Sequence, residues 1–105
     1  MNEEEMRSLV GRWSRVIGVA PTQIRIVRMK KKWASVSEKG VLSINYYLQD
    51  FPKEVVEYVV VHELIHLKTK IGCHNRLFKA TLGSYMPDWR EREKKLREIR
   101  GSLEL

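Results

Sequence analysis

The chain has 105 residues, 20 of them Lys or Arg and 13 Asp or Glu, for a net charge of +7; that length suits one domain, residues 1–105, with about two-thirds of the unfolded surface buried. One cysteine, Cys73, excludes an intramolecular disulfide, no apolar run approaches the roughly 18 to 20 residues of a membrane span, and Asn2-Glu3-Glu4-Glu5 is unlike a secretory signal, so a soluble protein of the reducing cytoplasm is expected. The basic balance admits nucleic acid, anionic membrane or acidic substrates as partners, and it bears on association more than on fold.

A covering helix is predicted over residues 1–18. Asn2 can cap it, Glu3, Glu4 and Glu5 suit the positive end of its dipole, and Gly18 is a natural stop. Met6, Leu9, Val10, Trp13, Val16 and Ile17 recur at helical spacing and read as core packing. From 23 to 45 the pattern changes to short alternating runs: Ile24 and Ile26 among charged neighbours, Trp33 to Val36 after Lys30-Lys31-Lys32, and Val41 to Ile44 after Gly40. Three strands joined by tight polar turns are expected, most simply an antiparallel meander with the lysines at a solvated hairpin tip. Abundant Lys, Arg and Glu beside few Asn and Gln is a balance seen in thermophile proteins.

A second helix is predicted over 52–71, capped at Asp50 or Phe51. Its valines alone suggest strand, but period decides: Val56, Val60, Leu64 and Leu67 form one helical stripe, and Val55, Val59, His62 and His66 its neighbour. His62-Glu63-Leu64-Ile65-His66 is therefore an H-E-x-x-H motif on a helix bordering an apolar face. Residues four apart share a face, so both imidazoles can reach one zinc ion, while Glu63 lies about 100° round the axis, placed to act as general base on a water. Peptide hydrolysis needs that arrangement, and burial beside valines favours the neutral imidazole that ligates.

A catalytic zinc usually takes three protein ligands. Gly72 is expected to end the helix, and His74 follows at the reversal before a helix over 75–86 opened by Asn75 and stopped by Pro87; a last helix spans 88–100. His74 can point back at the first two histidines. Its rivals are Cys73, Glu91, Glu93 and Glu98.

The run from Trp33 through Val41-Leu42-Ser43-Ile44-Asn45, Tyr58 to His66, His74-Asn75-Arg76-Leu77-Phe78 and Met86-Pro87-Asp88-Trp89 resembles the minigluzincins, small soluble zinc metallopeptidases of thermophilic prokaryotes, and is similar to SprT-related predicted metal-dependent hydrolases. The resemblance covers roughly residues 24 to 100. It implies His62, His66 and His74 as ligands of one zinc ion, Glu63 as general base, and the Val41 to Asn45 strand as the rim on which an extended peptide or protein substrate pairs. The His66 to His74 gap is longer than in many relatives, and Val36 stands where many have cysteine.

The expectation is an α+β zinc metallopeptidase: an amino-terminal helix, a three-stranded antiparallel sheet, the zinc-binding helix and two carboxy-terminal helices. Tyr46, Tyr47, Arg76 and Tyr85 are the candidate oxyanion stabilisers. The competing reading is a basic nucleic-acid-binding or structural module with an inactive motif, resting on Arg25, Arg28, Lys30 to Lys32 and the last helix. Structural zinc sites are normally closed by four ligands and rich in cysteine, which favours chemistry. The mixed signs of Arg90-Glu91-Arg92-Glu93-Lys94-Lys95 suit an ion-paired exposed face, so nucleic acid is not expected as a specific partner. Gly101 can end the last helix, and Ser102-Leu103-Glu104-Leu105 alternate as an extended tail would, able to pair with the rim strand and bring Glu104 or the terminal carboxylate to the zinc; the alternative is a frayed terminus, and the resemblance implies a role for such a segment in latency.

Overall fold

A computed structural model describes residues 1–100; the tail at 101–105 lies outside the described residues. The elements in order are α1 (Glu3–Ile17), β1 (Gln23–Val27), β2 (Ala34–Val36), β3 (Val41–Asn45), a 3₁₀ turn (Tyr46–Asp50), α2 (Lys53–Thr69), α3 (Arg76–Tyr85) and α4 (Trp89–Arg100). The α+β class and the count of four α-helices and three strands agree with the sequence reading.

Local chemistry explains α1. Asn2 Oδ1 accepts from the Glu5 N–H at 2.8 Å, and Glu5 Oε1 accepts from the Asn2 N–H at 3.2 Å, a reciprocal capping box of a kind worth about 1 kcal/mol. Gly18 closes the helix in the left-handed conformation at φ 80°. Met6, Leu9, Val10 and Ile17 face the core, whereas Val16, expected in the stripe, is 58% exposed.

The helix α2 is the centre of the molecule: every residue from Tyr58 to Ile65 is buried. Helix α1, the sheet, α3 and α4 all pack against it, which explains why its valines surround the axis and why α2 tolerates so many β-branched residues. Its start is at Pro52, later than the expected cap. It stops at Lys70, not Gly72, with Lys70 itself left-handed at φ 60°. A non-glycine residue there costs on the order of 1 kcal/mol, and the turn it makes brings the Ile71 carbonyl to the ring of His66.

The sheet corrects the antiparallel meander. Strand order is β1-β3-β2, with β1 parallel to β3 and β2 antiparallel to it. The run containing Lys30 to Lys32 is not a hairpin tip; it crosses the carboxyl end of β3. The cause is Asn45, fully buried, whose Nδ2 donates to Met29 O at 3.0 Å and Lys32 O at 2.9 Å. At the other end of the sheet the Thr22 N–H donates to Gly40 O at 2.8 Å and its hydroxyl to Lys39 O at 2.9 Å, holding β1 in register with β3. The β2–β3 connection is a true hairpin, turned at Gly40 with φ 85°.

This order moves the rim. β3 is paired on both sides, so the Val41 to Asn45 strand has no free edge for a substrate, and the edge strand near α2 is β2. Asn45 N–H to Trp33 O at 2.9 Å and Ser37 N–H to Val41 O at 3.0 Å mark the bonded pairs; by the antiparallel alternation, Ala34 and Val36 turn their backbone groups away from β3.

Candidate active site

His62 and His66 leave α2 one turn apart, and the chain reverses after Lys70 to bring His74 over them. The three Nε2 atoms form a nearly equilateral triangle: His62 to His74 is 3.0 Å, His66 to His74 3.0 Å, and His66 to His62 3.2 Å. Among the described residues these three side chains are the group whose ligand atoms converge closely enough to hold one metal ion. The Phe78 ring, from the first turn of α3, stacks on His66 with centroids 4.3 Å apart and meets His62 edge-on at 5.0 Å.

Outer contacts orient two of the rings. Tyr58 Oη donates to Glu93 Oε2 at 2.8 Å; its remaining contact, His62 Nδ1 at 3.3 Å, must then donate to it. His66 Nδ1 stands 2.7 Å from Ile71 O, an atom that only accepts, so this nitrogen also carries its proton. Both Nε2 atoms therefore turn lone pairs toward each other, which is repulsive unless a cation lies between them. Two nitrogens held at about 2.0 to 2.1 Å by a tetrahedral ion stand roughly 3.3 Å apart. The observed separations are within a few tenths of an ångström of that, so this donor set fits a metal.

Electrostatics agree. Burial pushes the His62 ring well below the ordinary imidazole range, with His66 and His74 adding to the effect. His66 is lowered by burial and by His74, against the opposing bond to Ile71 O. Neutral imidazole is the ligand form. Burial pushes the Glu63 carboxyl up to about 7, while Lys32 pulls it down. Glu63 is 3% exposed and has no hydrogen-bond donor among the described residues; its side chain opens into a cavity of about 580 Å³ shared with Lys32, Ser35, Val36, His66 and His74. That cavity lies between the free edge of β2 and the end of α2. A second cavity, of about 370 Å³, adjoins His62 and His74 on the side of α3 and α4.

Other sequence candidates fall elsewhere. Cys73 is exposed; it and Glu91 and Glu98 are outside the converging group, and Glu93 is engaged with Tyr58. Tyr46, Tyr47, Arg76 and Tyr85 line neither cavity; Tyr46 instead carries Arg28 over its ring at 4.5 Å. Residue type alone points to them, and the chain places Tyr46 and Tyr47 just past the carboxyl end of β3. Sequence reasoning gives Tyr58 no site role, although it sits one helical turn before His62, and puts Lys32 at a solvated hairpin tip instead of beside Glu63.

The family model described as a YgjP-like metallopeptidase domain matches residues 2–99. The chain belongs to the YgjP-like metallopeptidase family. Abylysin of Pyrococcus abyssi, whose crystal structure is that of a metallopeptidase zymogen, superposes with a TM-score of 0.85 at 21% identity, covering 95% of this chain and 99% of that one. Jannalysin of Methanocaldococcus jannaschii, also a metallopeptidase zymogen, gives 0.81 at 30% identity over 90% of this chain and 95% of the other. The M. jannaschii protein MJ0123 is 41% identical over 64 residues, a stretch that spans 59% of this chain and 58% of that relative's length. These likenesses support the minigluzincin resemblance read from the sequence. No described helix of this YgjP-like chain is long and apolar enough to cross a membrane.

Proposed function

We propose that this metallopeptidase cleaves peptide bonds with one zinc ion held by His62, His66 and His74 and with Glu63 as general base. The observation that carries the reading is the Nε2 triangle beside a buried carboxylate that faces the same cavity. A zinc ion held there would supply Lewis acidity toward a carbonyl and make a water more acidic. Glu63, free of donors among the described residues, accepts the proton of the attacking water and returns it to the leaving amine. The substrate lies extended along β2, exchanging backbone hydrogen bonds with Ala34 and Val36, and its scissile carbonyl stands at the histidines. Lys32, which lines the cavity with Glu63 and pulls its pKa down, is the cation assigned to the oxyanion.

Latency extends this proposal: residues 102–105 restrain activity, a reading that rests on their alternating sequence and on the relatives described as zymogens.

The test of the ligand set is zinc content. Wild type should bind one equivalent, and His62→Ala, His66→Ala and His74→Ala should each lose it under chelator competition. Full occupancy in His74→Ala would return the third position to a carboxylate.

A further inference from the structure

The second cavity is not needed to hold the metal or the general base. Its floor is apolar, made by Phe78, Leu82 and Trp89, and its mouth carries Lys79, Arg90 and Arg97. Lys79, Trp89 and Arg90 also line an adjoining depression that contains Arg76, so one basic groove runs away from His74 between α3 and α4. Arg97 pairs with Glu93 at 3.3 Å, whose other oxygen accepts from the Tyr58 hydroxyl, so among the described residues the one carboxylate lining this cavity is already engaged. Arg90 lies over the Trp89 ring at 4.4 Å. Among the described residues no carboxylate forms an ion pair with Lys79, Arg90 or Arg76.

Two other cations of α4 are paired. Arg92 reaches Asp88 and Glu57, and Lys95 reaches Glu54. Arg76, Lys79 and Arg90 thus present unpaired charge along this groove, where a peptide passing the histidines leaves the β2 cavity. A concave site with an apolar floor and a cationic mouth suits an anionic side chain on an aliphatic stem, and complementary charge sets specificity and capture rate.

We propose that the α3–α4 groove is a specificity subsite for acidic side chains, glutamate above all, in the residues of the substrate next to the scissile bond on the side away from β2. This rests on the peptidase reading for its location, while its charge preference belongs to Lys79 and Arg90.

Two measurements on the zinc-loaded full chain decide it. Glu63→Gln is titrated with a fluorescent peptide carrying two glutamates and with the same peptide carrying glutamines; the acidic one should bind on the order of tenfold more tightly near 150 mM salt. Adding Lys79→Glu and Arg90→Glu should abolish or reverse that preference, whereas Arg12→Glu with Arg15→Glu, an equal change of net charge on α1, should leave it. Equal affinities, absence of binding by the acidic peptide, or equal loss in both charge variants would overturn the proposal. In parallel, wild type is given a peptide mixture of defined diversity. Acidic residues should be enriched on one side of the cleaved bonds, and the Lys79 and Arg90 variant should shift the enrichment toward lysine and arginine. Cleavage without acidic enrichment counts against the subsite, whereas selective binding with no cleavage by either the full chain or a chain ending at Arg100 counts against the peptidase reading alone.

Discussion

Tyr58 donates its hydroxyl to Glu93, a residue 35 positions away, across the contact between α2 and α4 at 2.8 Å. The same oxygen is 3.3 Å from His62 Nδ1, so a carboxylate on the last helix fixes the orientation of the first histidine. Tyr58→Phe removes the acceptor of that Nδ1–H while keeping the ring in the core. Zinc affinity, measured by competition with a chelator, should fall about tenfold, the lower end of what such outer contacts contribute. Unchanged affinity would make the contact a packing feature only.

The rim depends on a residue outside the site. Asn45→Ala removes two donors to the crossing segment and the acceptor of the Tyr47 N–H, so it should cost about 2 to 3 kcal/mol and lower Tm. Because β2 hangs on that crossing, cleavage should also fall more steeply than zinc content. A variant as stable as wild type would show that the parallel β1–β3 arrangement is held by other contacts.

What the sequence made legible was local. The H-E-x-x-H pair is a four-residue relationship, and the caps at Asn2 and Asn75 and the left-handed Gly18 act within one turn. The misread features join residues far apart in the chain. Three short alternating strands give no register, so nothing in their pattern revealed that Asn45 would bind carbonyls 13 and 16 residues earlier and place β1 parallel to β3. Similarly, Gly72 looked the better helix stop. Lys70 takes the left-handed turn, after which Ile71 O lies 2.7 Å from His66 Nδ1, a bond that offsets part of its strain.

The tail prediction concerns regulation. A chain ending at Arg100, at matched zinc occupancy and with folding confirmed, should cleave peptide faster than the full chain. Equal or lower activity would remove the inhibitory role from residues 101–105.

Ion pairing on the outer faces of the helices bears on nucleic acid. Arg92–Asp88, Lys95–Glu54 and Arg97–Glu93 set carboxylates among the cations of α4, so its outer face is not a continuous track for phosphates. Binding to DNA or RNA should therefore be weak and vanish steeply as salt rises toward 150 mM. Stoichiometric, sequence-selective binding at that salt would revive the competing function.

The central claim is that Glu63 moves a proton beside a histidine-held zinc. Its most direct test compares cleavage of one defined peptide by wild type and Glu63→Gln, each at one bound zinc per chain. Glutamine keeps the shape but has no carboxylate to accept the proton, so kcat should fall by at least about 100-fold with zinc content and Tm nearly unchanged. Cleavage by Glu63→Gln at the wild-type rate would contradict the account.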